Sequence, residues 1–289
     1  MKDKDSAVAG KDGGEQLAVA GTLLLCAEFA SPKGYHIMSG AVLPTGLLPT
    51  LQHVLFPQDS AGVATLWQQW PLQIADGSVA ALSLPVLDAL LEHIVPASLH
   101  PAIPARFVRS RQLSFLAGCL CAERALAGLP LISAVLDRDI SGRPVWPTGV
   151  TGSITHSQSL AAAVAAWSPR PEGLGVDCEP LVARQQLADI VSTCCTAADR
   201  ACLPDKTPNM VATLIFSAKE AGYKALSHRF GRIVDFTEFE VCQLDQSTGQ
   251  LWLAPAPDSE WHQHILPFAV QFTFDADNVY TLADLRGLP

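Results

Sequence analysis

The chain has 289 residues, 49% of them hydrophobic and 16% charged, which is enough apolar material for one large domain or two small ones and too much for a disordered polypeptide. A formal net charge of −9 excludes a general electrostatic attraction to nucleic acid or to an anionic membrane, so any bound anion must meet a local cluster of basic residues. The eight cysteines form no CxxC pair and the eight histidines no HExxH, which argues against a zinc site and for reduced thiols in a cytoplasmic protein.

In chain order, residues 1–16 read as a disordered tail in which Lys2, Lys4 and Lys11 are outnumbered by Asp3, Asp5, Asp12 and Glu15. The apolar segment 17–30, LAVAGTLLLCAEFA, is too short to cross a bilayer and lacks the positive start of a signal peptide, so it reads as a buried strand. The proline-rich stretch 95–104 predicts a loop. FVRSRQLSFLAGCLCAERAL (107–126) predicts a helix with Leu113, Leu116 and Leu120 on one face, stopped by GLP. A turn-rich stretch then leads to SITHS and an Ala/Val run at 160–167.

SPRPEG (168–173) marks a junction between an N-terminal half, 17–168, and a C-terminal half, 169–289. Beyond it GLGVDCEP looks like a strand, and residues to about 205 are irregular or helical. TLIFSAKEAGYKALSHR (213–229) reads as an amphipathic helix with Leu214, Ala218, Ala221 and Ala225 on its apolar face and Ser217, Glu220, Lys224 and His228 on its polar face. FEVCQL, LWLAP, AVQFTF and VYTLADL alternate as strands do. No internal repeat is visible, and the class is α/β or α+β.

Residues i and i+2 of a strand share a side, so Asp177 and Glu179 project together while Val176 and Cys178 face the core. Two such carboxylates suit a hard divalent cation, which takes oxygen ligands and shares them with substrate phosphates; the pair alone equally fits a solvated strand end. Glu220 adds a third acid, with Lys219 and Lys224 on the same helix, although Glu220 and Lys224 at i, i+4 are also an ordinary helix ion pair. GVTGSITHS (149–157) offers Gly149 and Gly152 for close backbone approach, hydroxyls, and His156, a donor set for a phosphate outside the Walker type. Arg109 and Arg111 stand at the start of a helix, where orphan amides favour an anion. No nucleophile pairing emerges. The residues point to metal-assisted phosphoryl transfer or phosphate binding.

The blocks RSRQLSFLAG, GRPVWPTGVTGSITHS, GLGVDCE and FSAKEAGYKAL occur in this order, and the chain thereby resembles the phosphopantetheinyl transferases of the surfactin and enterobactin-synthase type. The last block and the Trp-Pro before GSITHS look most like the enterobactin-synthase branch. The resemblance runs from about residue 100 to about 285. It implies a pseudo-twofold fold of two α/β halves with the active site in the cleft between them. It implies transfer of the 4'-phosphopantetheine arm of coenzyme A to a serine of an apo acyl or peptidyl carrier protein, releasing adenosine 3',5'-bisphosphate, in fatty-acid, polyketide or nonribosomal peptide synthesis, siderophores included.

In the pattern so implied, Asp177, Glu179 and Glu220 hold Mg²⁺, with Mn²⁺ a substitute. Glu220 serves as base, and Asp177, Glu220 and Lys224 form the catalytic set. Coenzyme A meets Arg109 and Arg111 (3'-phosphate), Arg143 and Pro144 (adenine loop), Thr155 and His156, and Lys219 and Lys224. One departure is Cys119, where the pattern has arginine after the glycine of FLAG; either a neighbouring arginine such as Arg111 compensates or coenzyme binding is weaker. The implied partners are carrier proteins and coenzyme A, with no nucleic acid and no membrane, and the chain is expected to act as a monomer. Basic candidates for carrier docking are Arg184, Arg200, Arg229 and Arg232. The competing functions are a non-catalytic coenzyme A or carrier-binding module of the same fold and a Mg²⁺-dependent nucleotide hydrolase.

Overall fold

The computed structural model describes residues 65–287 apart from 101, 131–135, 140, 141, 171 and 172. The expected tail at 1–16 and strand at 17–30 lie outside the described residues. In order come β1 (Trp67–Gln68), β2 (Gly77–Ser83), α1 (Leu84–Leu90), α2 (Arg109–Ala127), β3 (Asp137–Arg138), β4 (Pro144–Val145), β5 (Val150–His156), β6 (Leu160–Trp167) and β7 (Leu174–Pro180). Then follow α3 (Leu187–Cys194), α4 (Ala197–Ala201), α5 (Pro208–Phe230), β8 (Phe239–Asp245), β9 (Gln250–Pro255), β10 (Phe268–Phe274) and β11 (Asn278–Asp284). The four alternating segments of the C-terminal tail are the four strands β8 to β11.

Two antiparallel sheets result, one of order β1-β2-β6-β5 and one of order β7-β11-β10-β9-β8, with β3 and β4 forming a separate hairpin. They stack as inner layers between two long helices. The Ala/Val run of β6 shows why. Ala161, Ala163 and Ala165 pack towards Leu113, Leu116 and Leu120 of α2. Ala162, Val164 and Ala166 pack the other way, onto Leu174, Val176 and Cys178 of β7 and Leu282 of β11. A strand buried on both faces loses the polar alternation of a surface strand and reads as one apolar run. The far face of the second sheet, with Val279, Ala283, Leu253 and Val270, is covered by Leu214, Ala218, Ala221 and Ala225 of α5.

Each half therefore lays one long helix across one antiparallel sheet, and edge strands β5 and β7 meet between the halves. There the Val176 amide donates to Ser153 Oγ at 3.1 Å. Gly152 is needed for packing: a methyl in place of its hydrogen would stand 2.5 Å from the Trp146 ring and from the Val164 carbonyl oxygen. Its close approach is thus to the indole of the WP dipeptide rather than to a phosphate, which corrects the expectation for that glycine.

α5 also departs from its amphipathic reading, because every residue from Val211 to Gly222 is buried. The sheet covers one side of it, Ile190 and Cys194 of α3 cover Ala212 and Phe216 on another, and β7 runs along the stripe expected to face water. Among the described residues no helix is long and apolar enough to cross a membrane, and the seven described cysteines are all free thiols.

Candidate active site

The site is built where β7 passes under α5. Gly175 permits the crossing, since an added methyl there would lie 1.8 Å from the Ala221 carbonyl oxygen. Two residues on, Asp177 shares that side of the strand and points at the helix. Its carboxylate, 3% exposed, accepts from three side chains: Thr155 Oγ1 of β5 at 3.0 Å, Ser217 Oγ of α5 at 2.8 Å and Lys224 Nζ of α5 at 2.7 Å. Lys224 also donates to the Val176 carbonyl at 3.0 Å and to Thr155 Oγ1 at 3.3 Å. So Lys224 pairs with Asp177 across the two elements.

Glu220 is buried and Glu179 is half-buried beside Asp177. Burial, then the nearby Asp177 and Glu220 carboxylates, push the Glu179 carboxyl well above the usual carboxylate range, and Lys224 opposes them. Carboxylate oxygens are the ligands a hard cation takes. The oxygens suit Mg²⁺ chemically, yet among the described residues no three acid, histidine or cysteine side chains are gathered into a ready-made metal cage, and Asp177 is turned to Lys224.

His156 ends β5 on the same rim. Burial, then the Lys224 ammonium, lower its pKa to about 4, with Arg111 adding to the effect and Asp177 opposing it. At neutral pH it is an uncharged imidazole that can donate one hydrogen bond to a phosphate. The influence of Arg111 places that guanidinium within electrostatic reach of the site; its carbon also lies 4.3 Å from the Phe107 ring centroid.

The structure does not bring every expected residue together. Lys219 points to the opposite side of α5, where its three N–H donors go to the Cys194 carbonyl (2.8 Å), Asp199 Oδ2 (2.5 Å) and the Phe236 carbonyl (2.9 Å). Asp199 is fully buried and its other oxygen accepts from the Val241 amide at 2.8 Å. An ammonium with all three donors placed in the interior has none to offer a phosphate, so Lys219 is a structural anchor.

Arg109 is likewise occupied: it donates to Asp88 Oδ1 at 2.8 Å, to the Ile94 carbonyl at 3.0 Å and to the Leu91 carbonyl at 2.8 Å, holding the carbonyl end of α1 instead of an anion. Arg143 pairs with Asp139 at 3.1 Å, and Pro144 sits beside it in the β3–β4 hairpin. Among the docking candidates, Arg184 is exposed, while Arg232 is bound by Glu238 and Glu260 and presents no isolated positive charge.

Two comparisons bear on this geometry. Residues 100–166 match the family model described as the 4'-phosphopantetheinyl transferase N-terminal domain, and residues 173–282 match that of the 4'-phosphopantetheinyl transferase superfamily. The 4'-phosphopantetheinyl transferase Npt of Nocardia iowensis is 32% identical over 164 residues, covering 53% of this chain and 69% of the relative. The chain belongs to the 4'-phosphopantetheinyl transferase superfamily.

Other relatives are the 4'-phosphopantetheinyl transferase Svp of Streptomyces mobaraensis, 34% identical over 161 residues (53% of this chain, 64% of the relative), and enterobactin synthase component D of Salmonella typhi, 32% identical over 152 residues (51% and 62%). The two superfamily matches meet at residues 166 and 173, on either side of the gap between β6 and β7. Sequence reasoning put Ser217 on the polar helix face without a role and passed over Gly175 and Thr281. Ser217 fixes the second oxygen of Asp177, and Thr281 Oγ1 donates to the Ser217 carbonyl at 3.0 Å. The signal for Gly175 was present, since a glycine inside a strand often marks close backbone approach.

Proposed function

We propose that this superfamily member transfers the 4'-phosphopantetheine arm of coenzyme A to a serine hydroxyl of a carrier protein, releasing adenosine 3',5'-bisphosphate. The observation that carries it is Asp177, a buried carboxylate shared by both halves of the molecule and joined there to Thr155, Ser217 and Lys224. Such a junction unites an acid, a cation and hydroxyls at one place, which suits a pyrophosphate being cleaved.

Asp177, Glu179 and Glu220 would hold the Mg²⁺ that accompanies a pyrophosphate. When bound, the ion neutralises charge on the phosphate oxygens. Glu220 takes the proton of the incoming serine hydroxyl, directly or through a water. The serine oxygen then bonds to the phosphorus attached to pantetheine, the bridging P–O bond breaks, and its electron pair leaves with the adenosine bisphosphate. Lys224, whose side chain is 22% exposed, can give up its 3.3 Å contact to Thr155 and donate to a leaving phosphate oxygen; neutral His156 donates a second bond.

Beside Glu220 a cavity of about 160 Å³ is lined by Tyr223, Phe230, Phe236, Phe239 and Phe268, a surface suited to a chain of methylenes and amides. The test is incubation with coenzyme A, Mg²⁺ and an apo carrier protein, followed by intact mass. A mass gain of one phosphopantetheine is expected, and Asp177→Ala abolishes it. No gain on several unrelated carriers refutes the proposal, and near-normal turnover by Asp177→Ala refutes the site. A non-catalytic coenzyme-binding module would bind coenzyme A in the same experiment without transferring the arm.

A further inference from the structure

We infer that Ser217 and Thr281 form a hydroxyl switch, in which Thr281 of β11 is the second acceptor that lets Ser217 release Asp177 to a divalent cation. The inference rests on the transferase reading, with its ion at Asp177, and deepens it by naming two positioning residues behind the carboxylate. Pairing of β7 with β11 sets Thr281 directly opposite Asp177, so the two side chains share the sheet face that α5 covers. Ser217 comes down from the helix between them. Its Oγ lies 2.8 Å from Asp177 Oδ2 on one side and 2.9 Å from Thr281 Oγ1 on the other, and Thr281 Oγ1 stands 3.0 Å from the Ser217 carbonyl oxygen. All three residues are buried.

Both positions of the switch satisfy every donor. Asp177, paired with the Lys224 ammonium through Oδ1, is a carboxylate and has no hydrogen to give. Ser217 therefore donates to Oδ2, and Thr281 donates to the Ser217 carbonyl. With a divalent ion on Oδ2 the Ser217 hydrogen is repelled. A hydroxyl that merely let go would become a buried donor without a partner, which is costly. Turning about its C–O bond instead carries the hydrogen to Thr281 Oγ1, whose lone pairs stay available while its own hydrogen remains on the carbonyl. Thr155 and Lys224 keep Oδ1 throughout. Only one hydrogen moves, and no buried donor is left unmet. With valine at 281 the second acceptor is gone, and a cation must displace the Ser217 bond without replacement.

The experiment measures Mn²⁺ binding in the presence of coenzyme A and without carrier protein, from the electron paramagnetic resonance signal of the free ion. It compares the unaltered protein, Thr281→Val, Thr281→Ser, Ser217→Ala and the double variant Ser217→Ala with Thr281→Val, with thermal melts as a control for folding. Thr281→Val should weaken Mn²⁺ binding by about 5- to 100-fold. The Mg²⁺ concentration for half-maximal transfer should rise alike, with kcat at saturating Mg²⁺ nearly unchanged. Thr281→Ser keeps a hydroxyl and should bind the ion as the unaltered protein does. Ser217→Ala removes the donor that needs a second acceptor, so adding it to Thr281→Val should restore the lost affinity, whereas a purely structural role of Thr281 would let the losses add. Unchanged affinity in a folded Thr281→Val, an equal loss in Thr281→Ser, a folded double variant without recovery, or no Mn²⁺ bound by the unaltered protein would each overturn the switch. If Thr281→Val folds poorly, the same ratio measured on Thr281→Cys decides, because a thiol accepts only weakly. Absence of transfer by the unaltered protein would refute the transferase reading itself, while the Mn²⁺ affinities read the switch separately.

Discussion

Gly175→Ala tests the link between the β7–α5 crossing and the site. The added methyl would stand 1.8 Å from the Ala221 carbonyl oxygen and 2.8 Å from the Ala221 carbonyl carbon and the Ala225 amide nitrogen. All three atoms are helix backbone, so no rotamer change relieves the clash. To reach even 3.0 Å the helix must lift by about 1.2 Å, and overpacking of this kind costs about 3 kcal/mol or more. The same lift stretches the Ser217 and Lys224 bonds to Asp177, now 2.8 and 2.7 Å, to about 4 Å, beyond hydrogen-bond reach.

The variant should therefore lose roughly 6–12 °C in Tm and most of its transfer activity, the latter even at temperatures where it is fully folded. Calorimetry and the intact-mass transfer assay read the two effects separately. A Tm within about 2 °C of the parent, with activity largely kept, would show that the tight crossing does not position the acids and would refute the reasoning.

Asp199→Ala leaves the Lys219 ammonium buried without its carboxylate and should destabilise the fold by about 3–5 kcal/mol in urea unfolding; a loss below 1 kcal/mol would mean that the pair is not an anchor. Arg109→Ala should lower stability through α1 while leaving KM for coenzyme A unchanged, whereas a selective rise in KM would return Arg109 to the binding site. His156 has a folded pKa of about 4 against 6.5 for the free side chain, so the unfolded chain takes up the proton first. The resulting stability is complete above pH 6.5 and is lost as pH falls from 6.5 to about 4. NMR should show a neutral imidazole at pH 6, and a ring already half protonated there would refute the burial argument. Ser217→Ala should reduce kcat by freeing one oxygen of Asp177; an unchanged kcat would show that Thr155 and Lys224 suffice to hold the carboxylate.

The strands of the C-terminal tail and the two long helices were legible because their periodicities survive in one dimension, and the four ordered blocks were enough to identify the superfamily. The acid pair of β7 was legible for the same reason, since alternate strand residues share a side whatever else the fold does. The direction of each cation was not. Lys219 and Lys224 look interchangeable as neighbours of Glu220, yet one is held in the interior by Asp199 and the other bridges to Asp177, because five helix positions turn a side chain by about 140° and α5 is packed on several sides.

Arg109 was redirected in the same way, because the carbonyl end of α1 takes its guanidinium. Sequence by itself determined the chemistry available here, namely carboxylates, lysines, hydroxyls and an imidazole on known elements. Tertiary structure alone decided which of them meet, because Asp177, Thr155 and Lys224 stand on three separate elements whose contacts depend on how the two sheets stack.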